Sequence, residues 1–275
     1  MSWFTRCDLT SQVNRDIFTV AQLSDCHLFA EKSAQYFDAY VWQHLDDVLK
    51  EMRLRKPDIL LLTGDMTQDH TDESYRLLAA QIKLRIPHTA VFWLPGNHDD
   101  LPQLQQFLVA EPFRHEKVIS IGNWAMILLN SKSDTPAGYF TEEHLATLNE
   151  VLLDVIAEKE HVALFCHHHL KPLDIYLDKH RCMNGEALLQ QLNQHPQVRL
   201  ISHGHTHIEH QETVGHVELL ATPATSIQFV NHPTEWRQEN SGPAYRWFEF
   251  SARGWRSDVV RLPAATDVSS VLSVS

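Results

Sequence analysis

Residues 58–65, DILLLTGD, form an almost entirely apolar run that ends in a carboxylate. A run without polar alternation is typical of a strand buried on both faces of a central sheet. Four other runs share this design, because each passes from apolar residues into polar residues that can bind a metal. They are IFTVAQLSD (17–25), HTAVFWLPGNHD (88–99), HVALFCHHH (161–169) and VRLIS (198–202), which continues into HGHTH (203–207). This repetition predicts a layered α/β fold with its chemistry at the strand ends.

Helices are predicted between these strands. Residues 38–54 and 142–157 place their apolar side chains at helical spacing on one face. From about residue 208 onward, strand-like runs are separated by Gly, Pro and Asn, with no convincing helix. We therefore predict a single domain over 1–265, whose β-rich final third is compatible with a second sheet packed on the first. Residues 266–275 are small and polar, which predicts a flexible tail.

Composition and charge restrict the classes of partner. The 275 residues are 43% hydrophobic and 21% charged, as in globular domains, and the formal net charge is −12. Nucleic acids and acidic membranes repel such a protein at long range, so we expect neither as a partner. The start, MSWFTRCDLT (1–10), lacks a targeting pattern, and no stretch approaches the roughly 20 apolar residues of a membrane span. With four cysteines that lack CxxC spacing, we expect a soluble, cytoplasmic protein with reduced thiols.

The polar residues that follow the five apolar runs are candidates for one metal site. They are Asp25 and His27, then Asp65, then Asn97 and His98, then His167, His168 and His169, and finally His205 and His207. Each is weak evidence alone, because an Asp near a turn is usually a cap and a lone His is usually structural. In open α/β sheets, however, the loops beyond the carboxyl ends of the strands form one crevice. The ordered set therefore predicts that these side chains converge.

In this order, the motifs DxH, GD, GNH, H and GHxH resemble those of the calcineurin-like metallophosphoesterases, over about residues 17–210. The GNHD motif, the length and the TPATSIQF segment (222–229) are more similar to the class III cyclic nucleotide phosphodiesterases of bacteria. The resemblance implies an α/β/β/α sandwich, in which two packed mixed β-sheets are flanked by helices. It also implies two divalent metal cations at the strand ends.

The resemblance further implies a role for each matching residue. One metal would be held by Asp25, His27, Asp65 and His207, and the other by Asp65, Asn97, His167 and His205, with Asp65 bridging. The residues in contact with substrate would be His27, Asp65, Asn97, His98 and His207. Among the three consecutive histidines of CHHHL, the family motif matches His167, although the residues alone leave His168 and His169 open.

The ligand chemistry agrees with a phosphate site. Two divalent cations exceed the negative charge of two carboxylates and a bridging hydroxide by about one unit, which suits a singly charged phosphodiester. Mixed nitrogen and oxygen ligands favour Fe, Mn, Zn or Co over Ca or Mg, and the resemblance implies Fe or Mn. A bridging hydroxide would attack phosphorus, so no side-chain nucleophile is needed. The departing ribose 3′ oxygen needs a proton, and His98, beside Asn97, is the candidate donor.

These inferences predict an enzyme that hydrolyses 3′,5′-cyclic AMP to 5′-AMP and so lowers cellular cyclic AMP. Cyclic AMP and AMP would be its small-molecule partners, and the protein would be a monomer or a homodimer. One alternative is a metallophosphoesterase of broader specificity, acting on other phosphodiesters or on phosphomonoesters. Another is a noncatalytic scaffold on the same fold, against which the complete ligand set argues.

Overall fold

The computed structural model describes residues 3–13 and 15–272. The strands are β1 Arg6–Asp8, β2 Ile17–Leu23, β3 Ile59–Thr63, β4 Ala90–Leu94, β5 Phe113–Arg114, β6 Val118–Ile121, β7 Trp124–Leu128, β8 His161–Phe165, β9 Val198–His203, β10 His210–Val214, β11 Val217–Ala221, β12 Gln228–Phe229, β13 Gln238–Glu239, β14 Ala244–Ser251 and β15 Gly254–Arg261. The helices are α1 Val41–Arg55, α2 Asp72–Arg85, α3 Leu101–Phe107, α4 Glu142–Glu158, α5 Gly185–Leu192 and α6 Ser269–Leu272, with a 3-10 turn at Tyr176–His180.

The strands form two large mixed sheets and one small ribbon. One sheet has seven strands in the order β1-β6-β7-β8-β9-β11-β10, and the other has six in the order β15-β14-β2-β3-β4-β5. Strands β2 to β5 are parallel, as are β7, β8, β9 and β11, whereas β10, β14 and β15 pair antiparallel. Strands β12 and β13 form a separate two-stranded ribbon. The mixed sheets implied by the resemblance are confirmed.

Three apolar clusters show how the layers pack. Ile59 and Leu61 of β3 belong to the cluster between the two sheets. Leu60 and Leu62 alternate with them and join the cluster that also contains residues of α1 and α2. A third cluster joins α4 and α5 to the seven-stranded sheet. Both faces of β3 are therefore buried, which accounts for its lack of polar alternation and confirms the α/β/β/α sandwich.

The final third of the chain does not make up a second large sheet by itself, although β12 and β13 within it pair as a separate ribbon. Strands β10 and β11 extend the seven-stranded sheet through β9, whereas β14 and β15 extend the six-stranded sheet through β2. Phe248 pairs with Val20 and, together with Phe250, faces the core between the sheets. Most strands after residue 208 therefore extend the two large sheets, through the parallel pairing of β11 with β9 and the antiparallel pairing of β14 with β2.

The end of the chain contains a short helix within the region for which a flexible tail was predicted. Helix α6 lies at Ser269–Leu272, and Val271 is 1% exposed in the cluster that α1 also lines. Residues 273–275 lie outside the described residues. Among the described helices, no segment has both the length and the apolar character that crossing a lipid bilayer requires.

A buried lysine makes stability depend on pH. Lys117 is 2% exposed; its Nζ donates to the carbonyl of Trp93 at 2.7 Å and lies 3.6 Å from the centre of the Trp93 ring. Burial lowers the pKa of Lys117 from 10.5 to about 7. Below pH 7 the Lys117 amine is protonated in both the folded and the unfolded chain. The folded state then bears the full free-energy cost of burying the charge. Between pH 7 and 10.5 the unfolded chain binds more protons, so this residue makes stability rise with pH.

Lys117→Met is expected to remove that contribution. Between pH 7 and pH 10, the free energy of unfolding of the wild type should gain on that of the variant by up to about 1.4 kcal/mol per pH unit. Urea unfolding of both proteins at several pH values in this range measures the difference. Parallel pH profiles for the two proteins would contradict the assigned titration.

Candidate metal centre

The predicted site residues lie in loops that follow parallel strands of both sheets. Three strands of the six-stranded sheet, β2, β3 and β4, lead to Asp25 with His27, to Asp65, and to Asn97 with His98. Two strands of the seven-stranded sheet, β8 and β9, lead to His167 and to His205 with His207. The sheets pack face to face with these strand ends on one side of the sandwich. The structure therefore brings together residues separated by up to 182 positions in sequence, as for Asp25 and His207.

One half of the cluster contains Asp25, His27 and His207. The Nε2 atom of His207 lies 3.2 Å from Nε2 of His27 and 3.2 Å from Oδ1 of Asp25. All three side chains are at most 2% exposed. These three residues offer ligand atoms close enough together to hold one metal ion.

The other half contains Asn97, His167 and His205. Nε2 of His167 lies 3.1 Å from Oδ1 of Asn97, and the ring centres of His167 and His205 are 5.1 Å apart. Asp65 lies between the halves, since its Oδ2 is 3.4 Å from Nε2 of His167 and 3.8 Å from Nε2 of His27. A carboxylate in this position can face two cations at once.

The hydrogen bonds behind the candidate ligands are compatible with a cation in the cluster. The Nδ1–H of His207 donates to the carbonyl of Ile227 at 2.7 Å, which directs Nε2 of the ring into the cluster. The Oδ1 atom of Asp25, 3.2 Å from that Nε2, is buried without a hydrogen-bond partner. Nε2 of His205 is likewise buried without a hydrogen-bond partner. Acceptors that face one another repel unless positive charge lies between them, which is what a metal ion would supply.

The pKa shifts of the candidate ligands differ in direction. Burial lowers the pKa of His27 to about 3, so this ring is neutral and available as a ligand. Burial alone would raise the pKa of Asp65, but His167, His98 and His27 outweigh it and hold the pKa well below its ordinary value. Burial lowers the pKa of His167, but Asp65 outweighs it and raises the pKa to about 9. A metal at His167 must therefore displace a proton, so acid should weaken metal binding.

Five candidate ligands have a left-handed backbone. Their φ angles are 57° for Asp25, 46° for His27, 52° for Asp65, 65° for His205 and 50° for His207. Such angles cost non-glycine residues on the order of 1 kcal/mol each. The sheets on either side hold these turns, so the imidazole and carboxylate groups are oriented by the fold.

Glycines of the motifs make room for the ligands. A Cβ on Gly64, whose φ is +97°, would lie 2.5 Å from Nδ1 of His167. A Cβ on Gly96 would overlap Oδ1 of Asp65, and one on Gly204 would overlap Oγ of Ser24. The structure shows close approach at all three glycines.

Gly96→Ala is expected to lower metal content and turnover by at least about tenfold, because the added methyl group displaces the Asp65 carboxylate. Elemental analysis and a phosphodiesterase assay measure the two effects. Gly122→Asn is the matched control, since a Cβ there meets nothing within 4 Å and asparagine tolerates the φ of +55° at this position. Full metal content in Gly96→Ala would show that the Asp65 position tolerates the displacement.

The histidine triplet separates into different roles. His168 accepts at Nδ1 from the Ser131 hydroxyl at 2.8 Å, and its Nε2–H donates to the carbonyl of Pro136 at 3.2 Å. Nε2 of His169 lies 3.2 Å from Oδ1 of Asp178. Only His167 of the three contacts both Asp65 and Asn97 in the described structure. This arrangement favours His167 as the ligand.

His98 lies at the mouth of the cluster. Its backbone N–H donates to Oδ1 of Asp65 at 2.8 Å, which ties its position to the shared carboxylate. Its half-buried ring makes an edge contact with the ring of His27, with the centres 5.2 Å apart. The ring is therefore beside the ligands and partly open to solvent.

Several neighbours of the site were not identified from the sequence. The Gln68 side chain contacts Nδ1 of His27 at 2.7 Å, and Lys132 Nζ donates to the carbonyl of Asn97 at 3.0 Å. Tyr36 stacks on His27, and Phe229 stacks on His207. The position of Gln68, three residues after Asp65, is a sequence signal for a place near the site, whereas nothing in the sequence marks Lys132. These residues orient the candidate ligands from outside.

The sandwich and its cluster of carboxylates and imidazoles define the class of metal-binding phosphoesterases built from two mixed sheets. The sequence model of the calcineurin-like phosphoesterase family matches residues 18–209. The chain belongs to this family.

Its relatives cover nearly all of the chain. A probable cyclic nucleotide phosphodiesterase of Pseudoalteromonas sp. (strain SM9913) is 38% identical over 95% of this chain and 99% of that protein. The 3′,5′-cyclic adenosine monophosphate phosphodiesterase CpdA of Haemophilus influenzae is 31% identical over 92% of this chain and 93% of that protein. A dimetal phosphatase from Danio rerio superposes with a TM-score of 0.66, at 15% identity over 89% of this chain and 98% of that one. The structural likeness supports the fold, and the sequence likeness supports the family.

Proposed function

We propose that the protein hydrolyses 3′,5′-cyclic AMP to 5′-AMP, with two divalent transition-metal cations as cofactors. The observation that carries the proposal is the position of Asp65, whose Oδ2 lies within 3.8 Å of a histidine in each half of the cluster. The names of the relatives over nearly the full chain support the choice of cyclic AMP as substrate.

The donor set determines how the metals would be held. Asp25, His27 and His207 would hold one cation, and Asn97, His167 and His205 the other, with Asp65 between them. When bound, the cations lower the pKa of coordinated water and neutralise charge on the phosphoryl oxygens. Mixed nitrogen and oxygen donors suit Fe or Mn, with Zn and Co as alternatives.

The protein's own groups orient the reaction. The Ile227 carbonyl and the Gln68 side chain fix the rings of His207 and His27. Asp65 positions the backbone of His98, which places that imidazole at the open side of the cluster. There it would contact the phosphate and give a proton to the ribose 3′ oxygen as the P–O3′ bond breaks. The hydroxyl from water ends on phosphorus, the other proton of that water restores His98, and the product is 5′-AMP.

The cellular consequence follows from the reaction. Hydrolysis removes cyclic AMP, so the protein would lower its concentration wherever both are present. An acidic chain with free thiols at Cys7, Cys26, Cys166 and Cys182 suits the cytoplasm, which we propose as its location.

A substrate panel tests the proposal. The metal-loaded protein is assayed with cyclic AMP, cyclic GMP, 2′,3′-cyclic nucleotides, bis(p-nitrophenyl) phosphate and a phosphomonoester, and the products are separated. We expect cyclic AMP to have the highest kcat/KM and to give 5′-AMP. An aryl diester hydrolysed as well as cyclic AMP would instead indicate the broader phosphoesterase. No hydrolysis of any substrate by metal-loaded protein would indicate a scaffold.

A further inference from the structure

Six aromatic rings form a closed circuit of contacts between the metal centre and the surface. Starting from His27, the ring centres are separated by 4.4 Å to Tyr36, 4.7 Å to Phe37, 6.3 Å to Trp236, 4.3 Å to Phe229, 3.9 Å to His207 and 5.1 Å back to His27. Two of the six rings are candidate metal ligands. The circuit therefore connects the reaction centre directly to an aromatic rim.

The two rings farthest from the ligands are open to solvent. Phe37 is 48% exposed and Trp236 is 38% exposed, whereas Tyr36 and Phe229 between them and the ligands are half-buried. Exposing two large apolar side chains side by side forfeits hydrophobic stabilisation that burial would provide. Core packing therefore does not account for this pair.

The backbone holds the exposed pair in place. Phe37 has a φ of 54°, which is uncommon for a bulky residue and marks local strain. The strained turn is closed by two backbone hydrogen bonds between Tyr36 and Ala39, at 3.0 and 3.1 Å. A strained position that the surrounding structure fixes so closely is typical of a ligand contact.

The loop that contains Trp236 is also held by specific contacts. Trp236 lies between β12 and β13, where Val230 N–H donates to the carbonyl of Arg237 at 3.0 Å. Tyr176 makes an edge contact with the indole, with the ring centres 5.9 Å apart. The amide of Asn240, the residue after β13, donates to the carbonyl of Asp38 at 3.0 Å, which ties the end of the β12–β13 ribbon to the loop of Phe37. The two rings are thus held side by side although 199 positions separate them in sequence.

We propose that Phe37 and Trp236 form the stacking surface for the purine base of the nucleotide, an inference that rests on the proposed function. The phosphate would lie at the metal centre, and the ribose separates the base from the phosphate. In the same way, one ring separates each exposed ring from a candidate ligand: Tyr36 lies between Phe37 and His27, and Phe229 lies between Trp236 and His207. The base is uncharged, so the acidic character of the chain does not repel it. Stacking accepts any base, and purines have the larger face.

The experiment uses two inhibitors that differ only in the base. AMP and ribose 5-phosphate share the sugar phosphate, and their Ki values are measured on the metal-loaded protein with bis(p-nitrophenyl) phosphate as the reporter substrate. In Trp236→Ala and Phe37→Ala we expect the Ki of AMP to rise about 10-fold to 100-fold and that of ribose 5-phosphate to stay within about threefold. Trp236→Phe should retain most of the AMP affinity.

Val230→Ala is the matched control, because Val230 is a half-exposed apolar residue of the same loop that lacks a ring, and it should leave both Ki values unchanged. An unchanged Ki for AMP in both alanine variants overturns the proposed stacking. An equal rise for both inhibitors also overturns it, since that indicates a general disturbance of the site. Failure of the proposed function is distinct, because it shows in the wild type as no hydrolysis of cyclic AMP.

Discussion

Asp65→Asn is expected to reduce turnover by at least about a thousandfold and to lower the content of both metals. The variant keeps the shape of the side chain and tolerates a left-handed backbone, but it removes the charge that both halves of the cluster share. In the wild type, Oδ2 of Asp65 is the carboxylate oxygen that lies within 3.8 Å of both His27 and His167. Asp65→Ala should give the same result without the hydrogen bond to His98.

Elemental analysis after desalting, together with the cyclic AMP assay, measures both effects. Circular dichroism establishes that the variants are folded, and Asp154→Asn on the exposed surface provides a carboxylate control far from the site. Loss of one metal alone would assign Asp65 to a single cation. Full metal content with retained turnover would remove it from the site.

His98→Ala is expected to lower the kcat for cyclic AMP by about 10²-fold to 10⁴-fold while both metals remain bound. The reason is that the ribose 3′ oxygen is a poor leaving group and needs a proton, whereas His98 lies beside the ligand cluster and not within it. For bis(p-nitrophenyl) phosphate, whose leaving group needs no proton, the loss should be much smaller.

The contrast between the two substrates separates proton donation from positioning. Equal losses for both would indicate that His98 positions the phosphate or Asn97 and does not act as an acid. Loss of metal from the variant would make it a ligand. His98→Gln retains a hydrogen-bond donor but cannot give a proton to the leaving group, so full activity on the aryl diester with impaired hydrolysis of cyclic AMP would support the acid role.

The strand ends were predictable because burial and chemistry leave separate marks in the sequence. An apolar run such as 59–63 indicates a strand buried on both faces. A carboxylate such as Asp65 directly after it would be costly to bury without a partner, which indicates a functional role. The order of five such ends identified the family and the sandwich. The start of α2 was also marked, since Thr71 caps it by accepting from the N–H of Ser74 at 3.2 Å, but its weaker apolar pattern left it unassigned.

Other features depend on contacts that a linear pattern does not contain. The alternation in 244–251 predicts a strand, yet it fits an edge of either sheet equally well, and the pairing with β2 decides the matter. Support of His207 by Ile227 uses a backbone carbonyl, which every residue has. The exposed pair Phe37 and Trp236 resembles core aromatics in the sequence, because only the folded chain shows which rings stay in solvent.

The division of the candidate ligands between the two sheets has a mechanical consequence. Asp25, His27, Asp65 and Asn97 follow strands of one sheet, and His167, His205 and His207 follow strands of the other. Cations bound by residues of both sheets would cross-link the two sheets at this end of the sandwich. Binding energy would then appear as resistance of the sheets to separation, growing with the logarithm of the free metal concentration. Chelation should loosen this end first and leave the apolar core between the sheets intact.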